Sequence, residues 1–140
     1  MSRFVLDNTV TMAWCFAEEA TDFTETLLSR LSNLTDSAVV PVLWLYEVVN
    51  VAELAVRKGR ITEEKAHSFL ESLADLPIEI ENPTRAQMFV AVRELASKHM
   101  LTAYDASYLE LAIRHKVPMA ALDNALMKAA KAAGIDLLER

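Results

Sequence analysis

Residues 38–52 read Ala38-Val-Val-Pro-Val-Leu-Trp-Leu-Tyr-Glu-Val-Val-Asn-Val-Ala52. Ala38-Val39-Val40 predicts a short strand, and the apolar run beyond it predicts a helix of about 43–58, with Gly59 as its stop. A strand feeding directly into a helix is the unit from which parallel sheets are built. The same stretch poses a chemical problem. Glu47 interrupts an apolar run from Val42 to Val51, where an ionised carboxylate is costly unless it is paired or bound to a metal.

Working outward, the alternation continues in both directions. Upstream, residues 3–6 predict a strand, followed by helices near 9–18 and 22–33. Downstream, Thr62 is placed to cap a helix over 63–75, and Ile78-Glu-Ile80 reads as a third strand. Asn82-Pro83 has the N-cap-plus-proline form of a helix start, for a helix running to about 98. Thr102 is placed to cap a helix over 103–115. Residues 119–122 read as a fourth strand and Asp123 as the cap of a last helix that Gly134 ends. Residues 135–138 are the candidate for a fifth strand.

This order predicts an α/β fold, a parallel sheet with helices on both faces. Two glycines, four prolines and the absence of repeats or low-complexity segments predict one domain over residues 1–140. No apolar run approaches the length of a membrane helix, although 53% of the residues are hydrophobic. That apolar excess suggests surface covered by a partner. A single cysteine, Cys15, and no signal-peptide pattern suggest a reducing, cytoplasmic setting.

Fourteen basic and twenty acidic residues leave a net charge of −6. That argues against binding nucleic acid through bulk positive charge, but not against a nuclease whose own site is acidic. Asp7, Asp105 and Asp123 share Glu47's setting, each at the edge of an apolar run. In parallel sheets, sites form beyond the carboxyl ends of the strands, where Asp7 and Asp123 are predicted to lie. Clustered carboxylates raise one another's pKa, and an oxygen-rich acidic site suits Mg²⁺ or Mn²⁺. One or two such ions promote phosphodiester hydrolysis. Thr9 is positioned to orient Asp7, and Asn50, three residues after Glu47, shares its helix face. Ser107 and Tyr108 lie near Asp105, Tyr108 being at least as well explained as core.

Competing chemistries lack their signatures. There is no P-loop, G-x-G-x-x-G or G-x-S-x-G stretch, and His67, His99 and His115 follow no zinc spacing. Taken singly, the acids have ordinary readings. Asp123 caps a helix, Asp105 complements a helix dipole, Asp7 ends a strand, and Glu47 pairs with Arg57 or Arg93. Trp14, Phe16, Trp44 and Tyr46 suit core or interface. Arg57, Lys58 and Arg60, the densest basic group, read as complements to a helix C-terminus in preference to an RNA contact, and Glu18-Glu19 as solvated. Lys128 and Lys131 are candidates to border the site. The conjunction of the four acids favours a metal site.

The chain resembles the PIN-domain ribonucleases, particularly VapC-type toxins. Val5-Leu-Asp-Asn-Thr-Val-Thr-Met-Ala-Trp14 is similar to that family's hydrophobic-Asp-x-Ser/Thr start, and Glu47-Val-Val-Asn50 to its Glu-x-x-Asn helix. Leu101-Thr-Ala-Tyr-Asp-Ala-Ser-Tyr-Leu109 resembles the stretch with the third acid, and Ala121-Leu-Asp123 the final acidic motif. The resemblance implies a three-layer α/β/α sandwich with a central, mainly parallel sheet of four or five strands. It also implies an Mg²⁺- or Mn²⁺-dependent endoribonuclease acting on RNA, neutralised by a VapB-like antitoxin and commonly a homodimer. Asp7, Glu47, Asp105 and Asp123 would be the metal-binding acids. Where the family often has Thr or Ser two residues before the last acid, this chain has Ala121, with Asn124 read equally as a substitute neutral ligand or as a residue of the helix N-terminus. That departure motivates an alternative, a PIN-fold RNA- or protein-binding module with little or no catalysis.

Overall fold

The structure is a computed structural model and describes residues 2–138. Its frame is a sheet of four parallel strands in the order β3-β2-β1-β4. These are β1 (Ser2–Leu6), β2 (Asp36–Pro41), β3 (Ile78–Glu81) and β4 (Met119–Ala120). β1 pairs with β2 from Ser2↔Asp36 to Val5↔Val39, and with β4 through Val5↔Met119 and Leu6↔Ala120. Phe4, Val5 and Leu6 are all buried. Successive strand residues face opposite sides, so β1 is covered on both faces, as a three-layer α/β/α sandwich requires.

The covering helices are α1 (Asn8–Ala13), α2 (Asp22–Ser32), α3 (Leu43–Arg57) and α4 (Glu63–Ala74). α5 (Arg93–His99), α6 (Ala103–His115) and α7 (Asn124–Ala132) complete the set. α6 packs on β1 and β2 and buries Tyr108, Leu109, Leu111 and Ala112. Leu31 of α2 and Leu126 of α7 are fully enclosed in the same core. α6 starts as its sequence predicts, with the Thr102 hydroxyl accepting the Asp105 N–H at 3.1 Å.

Four expectations are corrected. The first helix spans Asn8–Ala13 rather than 9–18, and a single 3₁₀ turn occupies Ala17–Glu19. The chain unwinds because Cys15 and Phe16 turn into the core, while the Trp14 indole donates to the Thr24 carbonyl at 2.8 Å. The helix expected from Asn82-Pro83 begins instead at Arg85 and is capped by Thr84, which exchanges side chain–backbone bonds of 2.9 and 3.1 Å with Gln87. A π-helical segment, Gln87–Val92, precedes α5. The fourth strand stops at Ala120, because the Leu122 N–H donates to the Thr9 hydroxyl rather than to a neighbouring strand. The fifth strand reduces to one bridge, Met119↔Leu137.

β1 lies between β2, the next strand in sequence, and β4, the last, so the chain reverses its direction of progress there. Crevices of open parallel sheets form at such a reversal, beyond the strand C-termini. Asp7 is the residue immediately after β1.

Candidate metal centre

Asp7 is fixed before its chemistry is considered. It caps α1, and its carboxylate accepts the Thr9 hydroxyl at 2.5 Å and the Thr9 N–H at 3.4 Å. That hydroxyl also accepts the Leu122 N–H at 3.0 Å, tying the end of β1 to the chain leaving β4. The Thr11 hydroxyl donates to the Asp7 carbonyl at 3.3 Å and accepts from the Trp44 indole at 2.9 Å. Trp44 lies one helical turn before Glu47, so these bonds set the start of α3, and with it Glu47, against the Asp7 loop.

Among the described residues Glu47 pairs with no arginine. Arg57 bonds Glu53 instead, and the Tyr108 hydroxyl donates to Glu47 Oε1 at 2.5 Å. Burial and then the Glu47 carboxylate push the Tyr108 phenol far above its ordinary range, which keeps the proton available for donation. Tyr108 is therefore a core residue that also holds a candidate site carboxylate. The sequence offers one signal for this role, its place three residues after Asp105 on the same helix.

The four acids influence one another electrostatically. Burial raises the Asp7 carboxyl to about 6, against the Thr9 hydrogen bonds that lower it, and the Asp105 and Glu47 charges add to the rise. Burial raises Glu47 too, with Asp105 repulsion in the same direction and the Tyr108 bond opposing it. Asp105 is raised by burial and then by Asp123. Asp123 caps α7, accepting the Leu126 N–H at 2.9 Å, so its ordinary reading holds as well. Among the described residues, none of the four forms an ion pair with a basic side chain. This donor set, all oxygen and without an organic counter-charge, fits a hard divalent cation. No three acidic, His or Cys side chains among the described residues are gathered closely enough to hold one ion.

The neighbouring candidates divide. The Thr9 hydroxyl donates to the Asp7 carboxylate it was expected to orient. Asn50 is exposed on α3, and Asn124 is exposed at the start of α7; neither side chain makes a hydrogen bond among the described residues. Ala121 is buried and brings no hydroxyl, while Thr9 engages both Asp7 and the backbone of Leu122. Arg60 is corrected. It bonds Glu18 at 2.5 Å and Glu19 at 2.6 Å and lies 3.5 Å over the Phe16 ring, so those glutamates are paired rather than simply solvated.

A family model for the PIN domain matches residues 4–132, nearly the whole chain. The chain belongs to the PIN domain family. One relative of this PIN domain is Ribonuclease VapC3 of Pyrobaculum aerophilum, 27% identical over 124 residues, covering 89% of this chain and 92% of the relative. Among solved structures, PAE2754 from Pyrobaculum aerophilum is similar at a TM-score of 0.72 and 20% identity, covering 97% of this chain and 84% of its own. FitAcB from Neisseria gonorrhoeae is similar at 0.57 and 17% identity, covering 97% and 96%. At those identities the structural likeness speaks for the fold alone. No helix among the described residues is long and apolar enough to cross a membrane.

Proposed function

We propose that this PIN domain is an Mg²⁺- or Mn²⁺-dependent endoribonuclease toxin that hydrolyses RNA phosphodiester bonds and is neutralised by a VapB-like antitoxin. The observation that carries the reading is a buried Asp7 carboxylate, raised to about 6, beside Glu47 and Asp105 with no basic partner among the described residues. A site so arranged repels an RNA phosphate until a cation is present. The ribonuclease name of the relative supports the reading.

Asp7, Glu47, Asp105 and Asp123 would hold the cation, with Asn124 as a neutral ligand. When bound, such a cation acidifies a water and offsets charge on the scissile phosphate. The chain's own residues do the rest. Thr9 holds Asp7 in one rotamer, and Tyr108 donates to one Glu47 oxygen and leaves the other free for the cation. Asn50, exposed one turn after Glu47 on α3, would be available to substrate or to a water on the cation. Burial around Asp7 keeps bulk water from screening these charges.

The partner reading rests on exposed apolar side chains. Tyr46 and Val49 of α3, Phe89 and Val90 of the π-helical segment, and Tyr104 of α6 are all more than half exposed. Such a surface suits antitoxin anchors and a second copy of the chain, while the acids suit an antitoxin Arg or Lys. We read the single domain as spanning residues 1–140 and acting in the cytoplasm.

The deciding experiment is incubation of purified protein with cellular RNA in Mg²⁺ or chelator, beside Asp7→Ala and Asp105→Ala. Cleavage should need the metal and both acids. Undiminished cleavage by both variants overturns the assignment, and metal-independent RNA binding without cleavage favours a binding module instead.

A further inference from the structure

Between the acids and the end of α3 lies a surface depression of about 350 Å³, within the range of small-ligand sites. Thr9, Leu122 and Asp123 line it together with Phe16, Glu19 and Arg60, so it shares Asp123 and Thr9 with the acidic site. Arg60 is the only basic residue among its lining. Asn8, also on its wall, carries a buried Oδ1 with no hydrogen-bond partner among the described residues.

We propose that Arg60 is a substrate-binding residue that grips a backbone phosphate of the RNA strand beside the scissile bond, exchanging Glu18 and Glu19 for that phosphate. This rests on the ribonuclease reading above. The guanidinium is held over Phe16 on one face, which fixes its plane and leaves its N–H edges to the two glutamates. All three partners of this ion pair are at least 40% exposed. Exposed pairs are weak and screened by salt, whereas a planar guanidinium binds phosphate in a two-pronged, charge-assisted way. The glutamates thus hold the fork near the depression without competing strongly for it. An acidic domain of net charge −6 needs such a local cation where RNA enters. Lys65 lies close enough to act electrostatically on the same Glu18.

The test is fluorescence anisotropy with a labelled single-stranded RNA of mixed sequence. It uses full-length protein carrying Asp7→Asn to prevent cleavage, with and without Arg60→Met. Methionine keeps an apolar chain over Phe16, and thermal melting checks that the fold is retained. Arg60→Met should weaken binding about tenfold and flatten the slope of log affinity against log salt by about 0.7, the loss of one single-strand phosphate contact. Glu18→Gln with Glu19→Gln should tighten binding severalfold. In the cleaving protein, the Arg60→Met defect should fall on KM more than on kcat. Unchanged affinity and salt slope in a folded Arg60→Met protein overturn the proposal while leaving the ribonuclease reading intact. So does loss of binding to a protein partner with RNA affinity unchanged. RNA binding that depends on Arg60 in a protein that never cleaves upholds the proposal and removes the ribonuclease reading.

Discussion

Replacing Asp7 by Asn should stabilise the metal-free protein, in a way that depends on pH. The folded carboxyl titrates at about 6 against an ordinary 3.8, a rise of 2.2 units. At 1.36 kcal/mol per unit, the buried charge costs about 3 kcal/mol once both states are ionised. The direction is that of an acid raised by folding. Its contribution is fully present below the unfolded value of 3.8 and is lost as the pH rises through about 6. Wild type in chelator should therefore lose up to about 3 kcal/mol, relative to Asp7→Asn, between about pH 4 and pH 7.5. Asn retains an Oδ1 for the Thr9 hydroxyl, so the comparison isolates the charge. Urea denaturation at both pH values measures it, and the wild-type-minus-variant difference cancels the other titrating groups. Mg²⁺ should then restore wild type at the higher pH, by about 2.7 kcal/mol at one hundred times its Kd, and leave Asp7→Asn unmoved. A difference that is flat with pH would refute the burial argument. An equal response of both proteins to Mg²⁺ would refute Asp7 as a ligand.

Tyr108→Phe removes the bond that holds the Glu47 carboxyl down against burial, so the acid limb of the cleavage pH–rate profile should move to higher pH. The accompanying stability loss should be about 1 kcal/mol, read by urea melts. Trp44→Phe strips the buried Thr11 hydroxyl of its donor and should cost about 1–3 kcal/mol in the same assay. It should also slow cleavage, because Thr11 anchors the Asp7 carbonyl. Leu31→Ala, at a fully enclosed core position, should cost about 2–5 kcal/mol by denaturation while preserving the pH profile.

Elements whose signals are local are legible in the chain. The apolar run at 38–40 forms the heart of β2, and the cap residues Thr62, Thr102 and Asp123 all cap the helices they precede. The elements that depart from their sequence signals are those decided by distant groups. Nothing near Ala13 stops a helix, yet α1 ends there because Cys15 and Phe16 fill the core and Trp14 reaches the Thr24 carbonyl. The fourth strand is two residues shorter than its apolar run because Leu122 donates to Thr9, more than a hundred residues away. In one dimension Arg60 reads as the complement of a helix dipole. In space the chain turns after Gly59 and carries it back to Glu18 and Glu19.

The same division runs through the site. By itself the sequence determined which residues are anomalous, since a carboxylate inside an apolar run is visible in one dimension, and the order of strands and helices that makes a parallel sheet. Only the tertiary structure decided how those acids are supported: Thr9 joining Asp7 to Leu122, Tyr108 reaching Glu47, and the Trp44–Thr11 bond setting α3 against the Asp7 loop. The physical reason is that periodicity and capping act between near neighbours. Desolvation, charge repulsion and buried hydrogen bonds depend on what folding brings alongside.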